Sequence, residues 1–247
     1  MQAYMGGIAP TYSVNWKKNS SMAIFLAGCD FNCPNCSQQE LGEFKEEHLT
    51  NILDIKKEIT NNASYVDSVF FTGGEPCLQR QALLAISRHA RAASLNVGLM
   101  TNGSRPDTIK SLVNENLLDY IVVKIQSSFE EEIFQKATLS KNFFNPTIDI
   151  IQSVYETLNI IKKNDRKIDI IFETEIVPGI NDDVSIILSI ASKIRDFRAI
   201  WVLKRFIHDA DKPNRKIEGL EPVSNDFMNE LKYRIEEKFP DMIVELI

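Results

Sequence analysis

The chain has 247 residues, 44% of them hydrophobic and 25% charged, with a net charge of -6. That length buries a core without help from disulfides or metal, the composition is ordinary for a soluble globular protein, and the acidic balance argues against broad nucleic-acid binding, which needs a basic face. No run approaches the ~20 apolar residues of a membrane span, and the N-terminus lacks a basic-then-apolar secretory signal. The four cysteines are clustered three-plus-one rather than spread as a disulfide framework, so a cytoplasmic protein with reduced thiols is expected.

In chain order, residues 1–21 hold Gly6-Gly7 and Pro10 and are expected to be irregular, with at most a short extended piece. An apolar strand covers about 22–27 and runs into a cysteine-bearing loop. Helical periodicity marks about 49–59, with Thr50 as N-cap. A β-rich run at 66–72 stops at Gly73-Gly74, and a helix follows over about 78–94. Strand three, at 96–100, ends in Thr101-Asn102-Gly103, and Pro106 opens a helix to Asn116. Strand four is 120–125. A short acidic helix and a longer one beginning near Pro146 occupy 128–163. Strand five, 168–177, ends at Pro178-Gly179, and Asn181 or Asp182 caps a helix over 183–195. Strand six is 200–206. A loop over 207–222, a helix over 224–238 and an apolar run at 242–247 complete the chain.

Six strand–helix units predict parallel strands, because each helix supplies a crossover. The expected fold is α/β, a partial (β/α)6 barrel of parallel strands, with a flat doubly wound sheet as the competing architecture. One domain is expected over 1–247, its core at about 20–206 and a tail at 207–247. In either fold the functional loops lie at the carboxyl ends of the strands. The unusual residues fall there: the cysteine loop, Gly73-Gly74-Glu75-Pro76, Thr101-Asn102-Gly103 and Pro178-Gly179.

Cys29, Cys33 and Cys36 form a C-x3-C-x2-C pattern in a loop that Asp30, Asn32, Pro34 and Asn35 make unsuitable for a core strand or helix. Thiolates are soft ligands that favour iron–sulfur clusters and zinc. A cubane cluster ordinarily takes four cysteines, so three leave one iron open for chemistry. The zinc alternative adds His48 to make a Cys3His site. Taken alone, Gly73-Gly74-Glu75-Pro76 reads as a strand-to-helix turn with an acidic first helical turn. Bare glycines also let a backbone approach a ligand closely, and the Glu75 carboxylate can receive hydrogen bonds from an ammonium.

Together these residues resemble the radical S-adenosylmethionine (SAM) superfamily: the cysteine pattern resembles its signature, and Gly73-Gly74-Glu75-Pro76 its SAM-binding motif. The likeness is greatest to the glycyl-radical-enzyme activating enzymes, including the activators of pyruvate formate-lyase and of anaerobic ribonucleotide reductase. It is carried by Gly7-Ile8 ahead of Val14-Asn15-Trp16, by Ile24-Phe25-Leu26-x-Gly28-Cys29, Cys33-Pro34-x-Cys36 and Glu40-Leu41, by Thr101-Asn102-Gly103 and Asp119-Tyr120-Ile121, and by Val177-Pro178-Gly179-Ile180-Asn181-Asp182. It spans about 6–205.

The resemblance implies that Cys29, Cys33 and Cys36 are the metal ligands and catalytic centre, holding a [4Fe–4S] cluster whose open iron binds SAM. It implies that Gly73, Gly74, Glu75, Pro76, Thr101 and Asn102 bind that cofactor. Reductive cleavage would give a 5′-deoxyadenosyl radical that takes hydrogen from a glycine of a partner glycyl-radical enzyme. Flavodoxin or ferredoxin would be the electron donor, and neither nucleic acid nor membrane a partner. The chain departs from the pattern at Asn35, where an aromatic residue usually lies near the adenine. At strand four, Lys124 and Gln126 replace an Asp-x-Lys pair, so Lys124 is a candidate to meet the SAM carboxylate directly. Glu173 stands where relatives have an arginine. Cys77 reads as a small packing residue. His89 reads as a helix-surface residue and His208 as a loop residue. Lys204 and Arg205 lie at the end of strand six. Two other readings stay open: a radical SAM enzyme acting on a small molecule or peptide, similar to 7-carboxy-7-deazaguanine synthase, and a zinc-binding interaction domain.

Overall fold

A computed structural model describes residues 1–13, 16, 19–140, 146–208, 217 and 219–247. Val14, Asn15 and most of the charged loop at 207–222 lie outside the described residues. The strands are β1 (Gln2–Ser13), β2 (Ser20–Leu26), β3 (Leu49–Asn51), β4 (Ser68–Gly73), β5 (Asn96–Thr101), β6 (Tyr120–Lys124), β7 (Asp169–Ile176), β8 (Ala199–Arg205) and β9 (Ile243–Leu246). The helices are α1 (Ile52–Asn62), α2 (Arg80–Ala92), α3 (Pro106–Asn114), α4 (Glu131–Thr138), α5 (Thr147–Lys162), α6 (Val184–Ile194) and α7 (Asn225–Lys238).

Among the described residues, nine strands form one sheet in the order β3-β1-β2-β4-β5-β6-β7-β8-β9. From β2 onward every pairing is parallel. The six expected strands are present, and the final apolar run adds a seventh parallel strand against β8. The N-terminal stretch corrects the expectation of irregular chain. It is a 12-residue strand, antiparallel to β2 and to β3, with its register shifting near Gly7 and before Tyr12. The glycines and Pro10 are absorbed by those irregularities on a strand near the sheet edge. Two caps also move by one or two residues. Asn51, not Thr50, accepts from the Leu53 amide, because α1 begins at Ile52 and the residue directly before it is the cap. Asp183, not Asn181 or Asp182, caps α6.

The two faces of the sheet differ, and that difference decides the architecture. One face carries Ile24, Leu26, Val69, Phe71, Leu99, Ile121, Phe172 and Leu203 against helix residues such as Ile55, Leu83, Ile109, Ile161, Ile190 and Leu231. The other face carries Phe70, Tyr120, Val122, Ile171 and Val202 around Trp16, with no helix residue in the cluster. A doubly wound sheet has helices on both faces. One-sided helices and a consecutive strand order are the partial-barrel arrangement. Among the described residues no helix is long and apolar enough to cross a membrane.

The helix-free face is plugged by stacked rings. Phe70, Gly98 and Tyr120 sit side by side in the parallel register of β4, β5 and β6. Gly98 has no side chain, so the two rings lean together across β5, with centroids 5.6 Å apart and planes parallel. Neighbouring strands lie about 4.7–4.9 Å apart, so rings on alternate strands meet only over an empty position. Trp16 stacks on Tyr120 at 4.0 Å and donates its indole N–H to Asp169. Two residues beyond Phe70, Val122, Ile171 and Val202 the same face turns polar, at Thr72, Lys124, Glu173 and Lys204, with Met100 beside them. The plug therefore forms the floor of a cleft at the carboxyl ends of the strands. A Cβ at Gly98 would lie 2.0 Å from the Tyr120 ring. Gly98→Ala is expected to cost about 1–3 kcal/mol through overpacking, read as a lowered urea midpoint with an unchanged slope.

Candidate active site

The cysteine loop leaves β2 and is held on three sides. The Gly28 and Cys29 amides donate to the carbonyls of Leu41 and Gly42 at 2.8 and 2.9 Å. On the next strand end, the Gly74 and Glu75 amides donate to the carbonyls of Leu26 and Gly28 at 2.8 and 2.7 Å. A Cβ at Gly73 would sit 2.4 Å from the Leu26 carbonyl oxygen, and one at Gly74 would sit 2.3 Å from that of Gly28. Gly73 also has φ +110, a left-handed conformation that favours glycine. The space left by the missing side chains is thus filled by backbone of the β2 end. On the third side Phe31 meets Phe134 of α4 edge-on, and the Asn32 amide donates to the Thr138 carbonyl.

One cleft brings Cys29, Cys33 and Cys36 together with Gly73, Gly74, Thr101, Asn102 and Lys124. Tyr12, Phe25, Asn35, Met100, Gln126, Glu173 and Lys204 complete most of its wall. Glu75 and Pro76 are buried and do not line it. The expectation that the Glu75 carboxylate receives a ligand ammonium is therefore corrected. Its Oε1 accepts from the Cys77 amide and the Thr101 hydroxyl at 2.9 and 2.8 Å, and its Oε2 from the Asn102 amide at 2.7 Å. Burial, followed by the nearby Asp30 charge, pushes its pKa up to about 7 against those three hydrogen bonds. The Thr101 and Asn102 side chains are also engaged internally. Thr101 Oγ1 accepts from the Gly103 amide. The Asn102 side chain donates to Asp30 and accepts from the Ser104 amide.

The far wall is charged. Lys124 Nζ lies 3.6 Å from Glu173. Burial alone would lower its pKa, but Glu173, Glu175 and the facing cysteines raise it overall, so it stays an ammonium. Asn35 donates its side-chain amide to Glu175 at 2.6 Å. Gln126 Oε1 is buried with no hydrogen-bond partner among the described residues. The Asn181 side chain accepts from the Val177 amide and donates to the carbonyls of Gln126 and Glu175, joining the ends of β6 and β7.

The donor set fits an iron–sulfur cluster better than zinc. Burial first, then Glu75, pushes the Cys29 thiol above its ordinary value, so a thiolate there needs a metal to hold it. Among the described residues, no group of three or more His, Cys, Asp or Glu side chains is arranged to hold a single metal ion. A cubane places its thiolates on separate irons and asks for no such convergence. His48 sits on a short turn beside Glu47 and does not line the cleft, so the Cys3His set is not assembled. Cys77 is buried away from the cleft, its thiol donating to Thr101 Oγ1 at 3.7 Å, and is a packing residue. His89 bonds the Lys56 carbonyl on the helix surface, and His208 the Leu220 carbonyl.

Fold and site together define a protein of the radical SAM class. The model of the 4Fe-4S single cluster domain family matches residues 20–145, more than half of the chain, and the chain belongs to that family. It is 28% identical over 201 residues to a Methanocaldococcus jannaschii protein named, provisionally, a glycyl-radical enzyme activating enzyme, covering 79% of this chain and 77% of that one. A shorter match, 34% over 87 residues, is to 7-carboxy-7-deazaguanine synthase of Hyperthermus butylicus, covering 35% of this chain and 36% of the other. In fold, the chain resembles a radical SAM methyltransferase of Sphaerobacter thermophilus, with a TM-score of 0.64 at 13% identity over 94% of this chain and 67% of that one.

The residues missed from the sequence are mainly the connectors, Asp30, Ser104, Arg105 and Glu175, whose partners are distant in the chain. Met100 was missed as well, and the period-two register of the inner face was the available signal for it. Glu75 generates a pH signature. Its folded pKa lies above its ordinary value of 4.5, so between about 4.5 and 7 the native state binds more protons than the unfolded state. Its contribution to stability is full below that window and falls as pH rises through it. Glu75→Gln also loses one hydrogen-bond acceptor, so absolute stability should drop. The decline in urea midpoint between about pH 5 and 8 should shrink, and an unchanged decline would show that Glu75 ionises normally.

Proposed function

We propose that this chain is a radical SAM enzyme that activates a partner glycyl-radical enzyme. The observation that carries the reading is the convergence, in one cleft, of a three-cysteine loop and the Gly73–Gly74 strand end. Cys29, Cys33 and Cys36 would hold the [4Fe–4S] cluster, leaving one iron without a protein ligand. When bound, the cluster would supply the electron for reductive cleavage of the SAM sulfonium to methionine and a 5′-deoxyadenosyl radical, the species that would take a hydrogen atom from the target glycine to give 5′-deoxyadenosine. The relative matched over 201 residues favours a glycyl-radical enzyme as the target, and the sequence resemblance makes anaerobic ribonucleotide reductase one candidate. A reduced flavodoxin or ferredoxin is the implied donor, and the cytoplasm the implied compartment. The whole chain acts as one domain in this reading.

In the cleft, the chain's own groups bind and orient. The backbone of Gly73 and Gly74, with that of Thr101 and Asn102, would meet the SAM methionyl group. Glu75 and Pro76 act from beneath, fixing those strand ends. Lys124 offers an ammonium to the SAM carboxylate, exchanging part of its interaction with Glu173 for a second anion. Lys124→Ala is expected to leave iron content unchanged and weaken SAM binding about tenfold, the equivalent of one charge-assisted hydrogen bond. Unchanged SAM affinity would remove Lys124 from the cofactor site.

The charged wall of Lys124, Glu173 and Lys204, with the match to 7-carboxy-7-deazaguanine synthase, favours a second reading in which the target is a small polar molecule. The deciding experiment reduces the reconstituted enzyme with SAM in the presence of candidate glycyl-radical enzymes. A glycyl doublet in the EPR spectrum is the expected result. SAM cleavage with no doublet from any candidate would favour the second reading, and colourless protein carrying zinc would overturn both.

A further inference from the structure

Asp30 follows the first cysteine directly, yet its side chain turns away from the cleft wall. Only 11% of it is exposed. Its Oδ1 accepts from the Asn102 side-chain amide at 2.9 Å. Its Oδ2 accepts from the Ser104 hydroxyl at 2.7 Å and from Arg105 Nε at 3.2 Å. All three donors belong to the loop that follows β5. The same loop holds Glu75 from its other side, through the Asn102 amide and the Thr101 hydroxyl. Asn102 is the shared link, with its backbone on Glu75 and its side chain on Asp30.

These contacts give Asp30 a definite mechanical position. The cysteine loop and the glycine strand end already touch through backbone at Gly28 and Glu75. That contact fixes the stem of the loop ahead of Cys29 and leaves the chain beyond Cys29 to be fixed by something else. Asp30 is the first side chain past that point. It closes a ring of contacts running from Cys29 through the β5 loop to Glu75 and back to Gly28. Two carboxylates, Asp30 and Glu75, share this ring, and Arg105 supplies the compensating positive charge.

We infer that Asp30 is a positioning residue that sets the placement of Cys29 relative to Gly73 and Gly74, acting through Asn102 and Arg105. The inference rests on the radical SAM reading above. Loss of Asp30 leaves all three thiols in place, so the cluster still loads. What changes is the registration between the cluster and a SAM molecule held on the neighbouring strand end. A charge-assisted network with one exposed arm, at Arg105, costs more when its buried carboxylate is removed than when its outer partner is.

The test compares reconstituted wild-type enzyme with Asp30→Ala and Asp30→Asn. Four quantities are read: iron per chain, SAM affinity, the change in the EPR spectrum of the reduced cluster on adding SAM, and the rate of SAM cleavage at saturation. Asp30→Ala should keep wild-type iron, bind SAM about tenfold more weakly, and lose most of both the SAM-induced EPR change and the saturated cleavage rate. Asp30→Asn keeps the shape but loses the charge facing Arg105, and should fall between. A purely structural role would lower the melting temperature and leave the EPR change and saturated rate untouched, and that result overturns the inference. If Asp30→Ala fails to load iron, Asp30→Asn decides by the same criteria. Failure of both to load would also overturn it, because Asp30 would then govern cluster assembly rather than placement. If the wild type itself loads iron but neither binds nor cleaves SAM, the radical SAM reading has failed instead.

Discussion

The site depends on the close passage of two strand ends. The ends of β2 and β4 are joined by amide-to-carbonyl bonds from Gly74 to Leu26 and from Glu75 to Gly28. No side chain fits in that passage, since either Cβ would lie within 2.4 Å of a carbonyl oxygen. The two glycines are therefore a packing requirement before they are a ligand surface. Their consequence is that the cysteine loop and the strand end most suited to a second ligand are fixed to each other by backbone, the least adjustable part of the chain.

A second constraint acts across the sheet. Parallel strands with helices on one side leave the opposite face to be filled by the strands themselves. Here it is filled by a stack of rings that meet over Gly98, and the filling stops short of the strand ends. The cleft is the unfilled remainder. Because side chains alternate with a period of two, the residues that reach it are determined as soon as the floor is. Lys124, Glu173 and Lys204 are charged for the same reason that Val122, Ile171 and Val202 are apolar: they are the wet end of one face.

Burial divides the motif residues into two kinds of work. The cysteines and glycines are in the cleft. Glu75 is sealed beneath it, and burial, followed by the nearby Asp30 charge, pushes its pKa up to about 7 although three hydrogen bonds favour the carboxylate. Thr101 and Asn102 look both ways, lining the cleft while their side chains tie neighbouring loops. Asp30, between the first two cysteines of the motif, belongs with Glu75 as a carboxylate held by hydrogen bonds to the loop after β5. A departure such as Asn35 is likewise absorbed by a new partner, Glu175.

The sequence by itself determined the strand–helix order, the class of chemistry and the candidate ligand loop. These depend on local signals: hydrophobic period, glycine and proline punctuation, and the spacing of three thiols. It did not determine the fate of residues 1–13, because a strand interrupted by two glycines and a proline has no local signature and forms only by pairing with β2 and β3. It also did not distinguish a residue in the cleft from one beneath it. Glu75 and Gly74 are adjacent in the chain and have the same local signal, yet one is buried and the other faces the cleft. That choice, like the meeting of Asp30 with Arg105 across 75 residues, is made by the crossing of strand ends in three dimensions. It is decided by contacts between segments that no short window of sequence contains.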